Sequence, residues 1–161
     1  MAKKKEEKTN VMRILEQKKL YHVDRTYPTD GGLDGISVAK ALGQDVTHVF
    51  KTLVTRAASG AYYVFCIPVA ENLDLKKAAK SVGEKSIAML PQKELLGLTG
   101  YVHGGCSPVG MKKQFPTVFH TTAAELETMM VSAGKIGFQV ECRSEELIAL
   151  VRGTVADIIV D

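Results

Sequence analysis

Lys51 interrupts an apolar run, Val49-Phe50-Lys51-Thr52-Leu53-Val54, and is the first residue to invite a chemical reading. If the run is a strand, side chains alternate between its faces, with Phe50, Thr52 and Val54 on one and Val49, Lys51 and Leu53 on the other. A lysine with apolar neighbours either extends its ammonium to an edge or meets an anion. Edge snorkelling is the commoner outcome. A buried, partnered lysine is nevertheless more often functional than structural, because desolvating a lone ammonium is costly. The second candidate is the stretch 99–116, which carries Gly100, Gly104, Gly105 and Gly110 together with Pro108 and Pro116. A helix or strand would not tolerate that density, and a plain linker would not carry Tyr101, Val102, Met111 and Phe115. The combination predicts a shaped loop whose backbone approaches a ligand closely and whose N–H groups point at an anion or a carbonyl oxygen. Lys112 and Lys113, just after the last of these glycines, suit a phosphate-bearing substrate.

Cys106 lies in the same loop, but no His-Asp pair is evident to activate it, although His103 is close in sequence. It is expected to behave as a small hydrophobe. Asp24, Asp30, Asp34 and Glu71 could serve as acid and base, yet their spacing does not single out a pair. His103 and Cys106 form a lone half-site, and no cysteine pair has the spacing of a zinc knuckle, so no metal is expected. Lys76 and Lys80 would share one helix face, with Lys77 beside them. Such a face suits a polyanion as well as it suits solvent.

The elements that must hold these residues follow from local signals. Thr9 caps a first helix that buries Val11, Met12 and Leu15, and residues 21–27 read as a strand stopped by Pro28. Residues 30–35 form a loop, and Ser37 caps a helix over 38–42. Residues 49–56 and 61–69 form a hairpin around a turn at 58–60. Asp74 caps a helix over 75–82. A strand over 86–89 and a helix from Pro91 to Leu96 precede the glycine loop. After it come a strand over 117–120, a capping box at Thr122 and Glu125, paired strands over 128–132 and 137–142, a helix capped by Ser144, and a strand over 154–160. About seven strands with scattered short helices and no βαβ regularity make this an α+β chain with a mixed, curved sheet.

In 161 residues a core of ordinary size is available, and residues 9–161 read as one domain behind a polar tail over 1–8. No apolar run is long enough to span a membrane, and the lysine-rich start is not followed by the apolar segment of a secretory signal. The three scattered cysteines argue for a reducing compartment, hence the cytoplasm. A net charge of +3 permits contact with RNA without demanding it.

Several motifs together resemble the YbaK/ProX/EbsC family: Phe50-Lys51-Thr52-Leu53-Val54, Ile67-Pro68-Val69, Leu73-Asp74-Leu75-Lys76-Lys77, Thr99-Gly100-Tyr101, Gly104-Gly105-x-Ser107-Pro108-x-Gly110 and Met111-Lys112-Lys113. The motifs keep register from residue 27 to 137. Members of this family are free-standing aminoacyl-tRNA deacylases related to the editing domain of bacterial prolyl-tRNA synthetases. The resemblance implies a barrel-like sheet wrapped by helices. It also implies cleavage of mischarged tRNA, most often cysteinyl-tRNA of the proline acceptor, without a cofactor and with prolyl-tRNA synthetase as a candidate partner.

By the same resemblance, Lys51, Gly104 and Gly105 are catalytic. Tyr27, Tyr101, Cys106, Ser107, Pro108, Ser132, Gly134 and Gln139 bind the aminoacyl end; on charge and spacing, Lys76, Lys77, Lys80, Lys112 and Lys113 join Lys135 as expected tRNA contacts. The chain departs from the family at His120 and Gln139, where relatives often carry Asp, and at Cys106, where isoleucine is commoner. Two other readings stand beside this one: a non-catalytic module that binds tRNA or a synthetase, and a deacylase for another small amino acid such as alanine. A thiol enzyme built on Cys106 would need an activating base that the sequence does not show.

Overall fold

A computed structural model describes residues 8–29, 32 and 34–161. The expected polar tail, apart from Lys8, and the candidate acid Asp30 lie outside the described residues. Helix α1 (Asn10–Gln17) starts where Thr9 Oγ1 accepts the N–H of Met12 at 3.2 Å, and it buries Val11, Met12 and Leu15 as its spacing requires. Strand β1 (His22–Thr26) follows.

Helix α2 (Gly35–Ala41) begins three residues before the expected start, because Asp34 rather than Ser37 is its cap. The Asp34 carboxylate accepts the Ser37 N–H at 3.1 Å and the Ser37 hydroxyl at 2.6 Å. Gly35 sits so close to Val69 that a Cβ there would lie 2.4 Å from its side chain, which seats α2 against the main sheet.

Strands β2 (Phe50–Ala57) and β3 (Tyr62–Pro68) form the expected hairpin. Helix α3 (Leu75–Ser81) starts on Asp74, which accepts the N–H groups of Lys76 and Lys77. Next come β4 (Ile87–Met89), α4 (Gln92–Thr99), β5 (Thr117–His120), α5 (Thr122–Glu125), β6 (Thr128–Ser132), β7 (Phe138–Arg143), α6 (Ser144–Leu150) and β8 (Thr154–Ala156). Two expected caps are absent. Thr122 and Ser144 are the first residues of their helices, already wound, so their hydroxyls cannot reach the N–H groups ahead; both oxygens are buried without partners among the described residues. The last strand is also shorter than expected. After Ala156 the chain leaves β5 and pairs Ile159 with Leu73 instead.

The fold is mixed α+β, and the described strands number eight in two sheets rather than seven in one barrel-like sheet. One sheet is antiparallel, ordered β1-β7-β6; the other is mixed, ordered β4-β2-β3-β5-β8, with β3, β5 and β8 parallel. Among the described residues one backbone bridge, Val49 to Met130, links the two sheets, and they do not close. The reason lies at the outer edge of β2. Strand β4 covers it only at Thr55, Arg56 and Ala57, and β6 reaches it only at Val49. Phe50, Val54, Cys66 and Phe119 face the larger core with α1 and the inner faces of β6 and β7. Phe65, Ile67 and Val118 pack on the other side of the sheet against Ala78 and Ala79 of α3. No helix among the described residues is long and apolar enough to cross a membrane.

Candidate active site

The uncovered edge of β2 opens into a cavity of about 450 Å³, a size that suits a small ligand. Phe50, Lys51, Thr52, Leu53 and Val54 all line it. The ladder places Lys51 opposite Ile67 and Leu53 opposite Phe65, on the face away from Phe50 and Val54, as period-two alternation requires. The Lys51 side chain is half-buried and forms no ion pair or hydrogen bond with the described residues. Desolvation pushes its pKa below the ordinary lysine value, and the nearby negative charge of Glu71 partly restores it. At the two ends of the β2–β3 ladder, Val49 O accepts the Val69 N–H at 2.9 Å and the Ala57 N–H donates to Ala61 O at 2.8 Å. By the alternation of an antiparallel ladder, the N–H and C=O of Thr52 therefore point outward, toward the cavity.

The opposite wall comes from β6 and β7, where Ser132 and Gln139 are direct partners in the ladder. Both are almost fully buried and both line the cavity. Ser132 Oγ accepts the N–H of Gly134 at 3.1 Å, whereas Gln139 Oε1 is buried without a partner among the described residues. Tyr27 completes this wall, tied to it by its own N–H, which donates to the Gly137 carbonyl at 3.0 Å.

The third wall is the glycine loop. Val102 O accepts the Gly105 N–H at 3.0 Å, closing a turn with His103 and Gly104 at its tip. Gly104 has φ +87°, a conformation that side chains disfavour. His103, Gly104 and Cys106 line the cavity; Gly105, Tyr101, Ser107 and Pro108 stand behind them. The Gly105 N–H is already engaged with Val102, and a Cβ at this position would lie 3.1 Å from the Ile136 backbone nitrogen. The Tyr101 hydroxyl donates to Val109 O at 2.5 Å, and Ser107 Oγ accepts the Val109 N–H at 3.3 Å, so both side chains brace the loop from within. Burial pushes the Cys106 thiol up to about 12, far from the range of a thiolate nucleophile.

Gly134 lies against the ring of Tyr101, outside the cavity, with room for no Cβ. The lysines divide into two groups. No residue of α3 lines the cavity, and Lys77 is committed to the chain's end, bonding Asp157 Oδ2 at 3.2 Å, Ile159 O at 2.9 Å and Asp161 Oδ1 at 2.7 Å. Lys76 and Lys80 are exposed on the same helix. Lys112, Lys113 and Lys135 flank the glycine loop; Lys112 Nζ donates to Gly97 O at 3.3 Å and Lys135 Nζ lies 5.4 Å from the Phe138 ring.

His103, the Thr52 backbone and the α4 residues Gln92 and Leu95 were not among the expected cavity residues. Only His103 had a local signal, its place between Tyr101 and Gly104.

Against known proteins, the model of the aminoacyl-tRNA editing domain matches residues 34–150. The chain belongs to that family. A curated relative from Enterococcus faecalis, named as a candidate Cys-tRNA(Pro)/Cys-tRNA(Cys) deacylase EbsC, is 44% identical over 160 residues, 98% of each chain. The crystal structure of a candidate trans-editing enzyme for prolyl-tRNA synthetase superposes with a TM-score of 0.81 at 27% identity, covering 94% of this chain and 95% of that one. A hypothetical protein superposes at 0.84 with 21% identity over 93% and 99% of the two chains, which shows the shared fold. All three span nearly the whole editing chain.

Proposed function

We propose that this editing-family protein is a trans-editing deacylase that cleaves the ester between tRNA and a wrongly attached amino acid, cysteine above all. The observation that carries the reading is the composition of the cavity. It holds an unpaired, half-buried ammonium at Lys51 and, on the loop opposite, the N–H groups of Gly104 and Cys106, which bond to none of the described residues. A cation and backbone donors on one cavity stabilise negative charge developing on a carbonyl oxygen. Lys51 then polarises the ester or holds the terminal adenosine, while Tyr27, Ser132 and Gln139 enclose the aminoacyl group. Lys112, Lys113 and Lys135 receive the phosphates of the acceptor end.

The chain's own thiol on this cavity is too poor an acid to supply a nucleophile. Cysteine attached to tRNA brings its own. Its sulfur attacks the carbonyl carbon and the ribose oxygen leaves, so the protein contributes orientation and charge stabilisation rather than a covalent intermediate. The names of the relatives support cysteine as the amino acid and the proline acceptor as the tRNA. The site of action is then the cytoplasm, with prolyl-tRNA synthetase as a candidate partner. The test is ester loss from purified cysteinyl-tRNA(Pro) incubated with the protein. Rapid release that disappears in Lys51→Ala supports the assignment; release at the rate of uncatalysed hydrolysis overturns it.

A further inference from the structure

Cleavage by a substrate thiol still requires that the thiol lose its proton. The other titratable side chains on the cavity are ill suited to take it. Lys51 serves as the cation that polarises the ester, a role it does not combine with taking a proton. Cys106 is pushed up to about 12 by burial. Asp34 holds two hydrogen bonds from Ser37, which pull its carboxyl below the usual range and make it a weak base. Tyr27 offers a phenolic O–H, a hydrogen-bond donor to substrate rather than a base. His103 is different. It lines the cavity, stands exposed at the tip of the glycine turn, and its imidazole bonds to none of the described residues. Both ring nitrogens are therefore available to substrate. The same turn carries the free N–H of Gly104, so an acid–base group and an oxyanion donor stand on adjacent residues. Tyr101, two residues earlier, pins that turn through its bond to Val109 O.

We infer that the imidazole of His103 is the proton acceptor of the reaction, taking the thiol proton of the aminoacyl group as its sulfur attacks the ester carbon. The step balances within the site. The C–S bond forms and the C–O bond breaks; the proton passes from sulfur to imidazole and then to the departing ribose oxygen, which restores neutral His103. The products are tRNA with a free hydroxyl and a cyclic cysteine thioester that water opens. Imidazole is suited to this relay because its charge ordinarily changes between pH 5 and 8.

The inference rests on the cysteinyl-ester reading above, and the experiment separates the two. Single-turnover cleavage of cysteinyl-tRNA is followed from pH 5 to 8.5 for wild type, His103→Gln and His103→Asn, with melting temperatures as a check on folding. Affinity is measured on S-methylcysteinyl-tRNA, which lacks the thiol. The expected result is a loss of about 100-fold or more at pH 7, with unchanged affinity and melting temperature. The acidic fall-off of the wild type should vanish in the variants, and added imidazole should restore part of the rate to His103→Asn. Variants within about threefold of wild type and with the same acidic limb overturn the inference, as does a loss confined to affinity, which would make His103 an RNA contact. A wild type that cleaves nothing overturns the deacylase reading itself and this inference with it.

Discussion

Lys51 is held by a strand whose register is fixed on one side by β3 and left bare on the other, and none of the described residues puts a counter-charge in contact with its ammonium. That arrangement has a thermodynamic signature. Because burial lowers the folded pKa below the unfolded one, the folded state carries a penalty for the charged form that is fully present below the folded pKa. The penalty fades as pH rises through the window between the lowered value and the ordinary 10.5. Lys51→Met is therefore expected to melt at or slightly above the wild-type temperature at pH 7, with the difference shrinking toward pH 10.5, while deacylation falls by about 100-fold or more. Parallel melting curves in circular dichroism at several pH values check the first part. Cys106→Ala should keep most of the activity and cost about 1 kcal/mol of stability, since the residue is a buried hydrophobe rather than a nucleophile. Trapping of a covalent aminoacyl adduct on Cys106 would contradict this.

At the scale of elements, two segments with no regular structure, the glycine loop and residues 133–137, approach each other closely. A Cβ at Gly105 would lie 3.1 Å from the Ile136 backbone nitrogen, and Tyr101 fills the space that a side chain at Gly110 or Gly134 would need. Gly134→Ala must adopt φ +92° and displace the Tyr101 ring, so it should lose about 1–3 kcal/mol. It should also lower activity without touching substrate; denaturant midpoints and kcat measured together test both. The face of Lys51 was legible in the sequence because period two needs no knowledge of partners. The two-sheet arrangement was not, since the parallel pairing of β3 with β5 spans a connection that carries no local signal. Asp34 was passed over as a cap because Ser37 offers the same chemistry three residues later, and only the backbone shows which of the two is extended. In the site, Tyr101, Ser107 and Gly134 were expected at the substrate by resemblance; they stand outside the residues that line the cavity. His103 was passed over because the sequence set it against Cys106 alone, whereas the fold sets it on a cavity with Lys51.

For the whole molecule, the two groups of lysines make different predictions about RNA. Lys112 and Lys113 flank the loop that forms a wall of the cavity, and each lost phosphate contact should reduce the slope of log K against log salt by about 0.7 to 0.9. The double variant Lys112→Glu, Lys113→Glu is thus expected to weaken tRNA binding and flatten its salt dependence. Lys77→Met should leave the slope unchanged and instead free the C-terminal segment, seen as faster proteolysis there, because its ammonium is spent on Asp157, Ile159 and Asp161. Equal slopes for wild type and the double variant would place the RNA elsewhere.

The central claim is that this fold lends orientation and charge to a nucleophile that the substrate carries. The most direct measurement compares single-turnover deacylation of cysteinyl-, seryl- and alanyl-tRNA on one tRNA body. The expected result is cysteinyl-tRNA cleaved far faster than seryl-tRNA, which differs by one atom, with alanyl-tRNA poor and S-methylcysteinyl-tRNA bound but inert. Comparable rates for the cysteinyl and seryl or alanyl esters would contradict it and would require water activated by the protein.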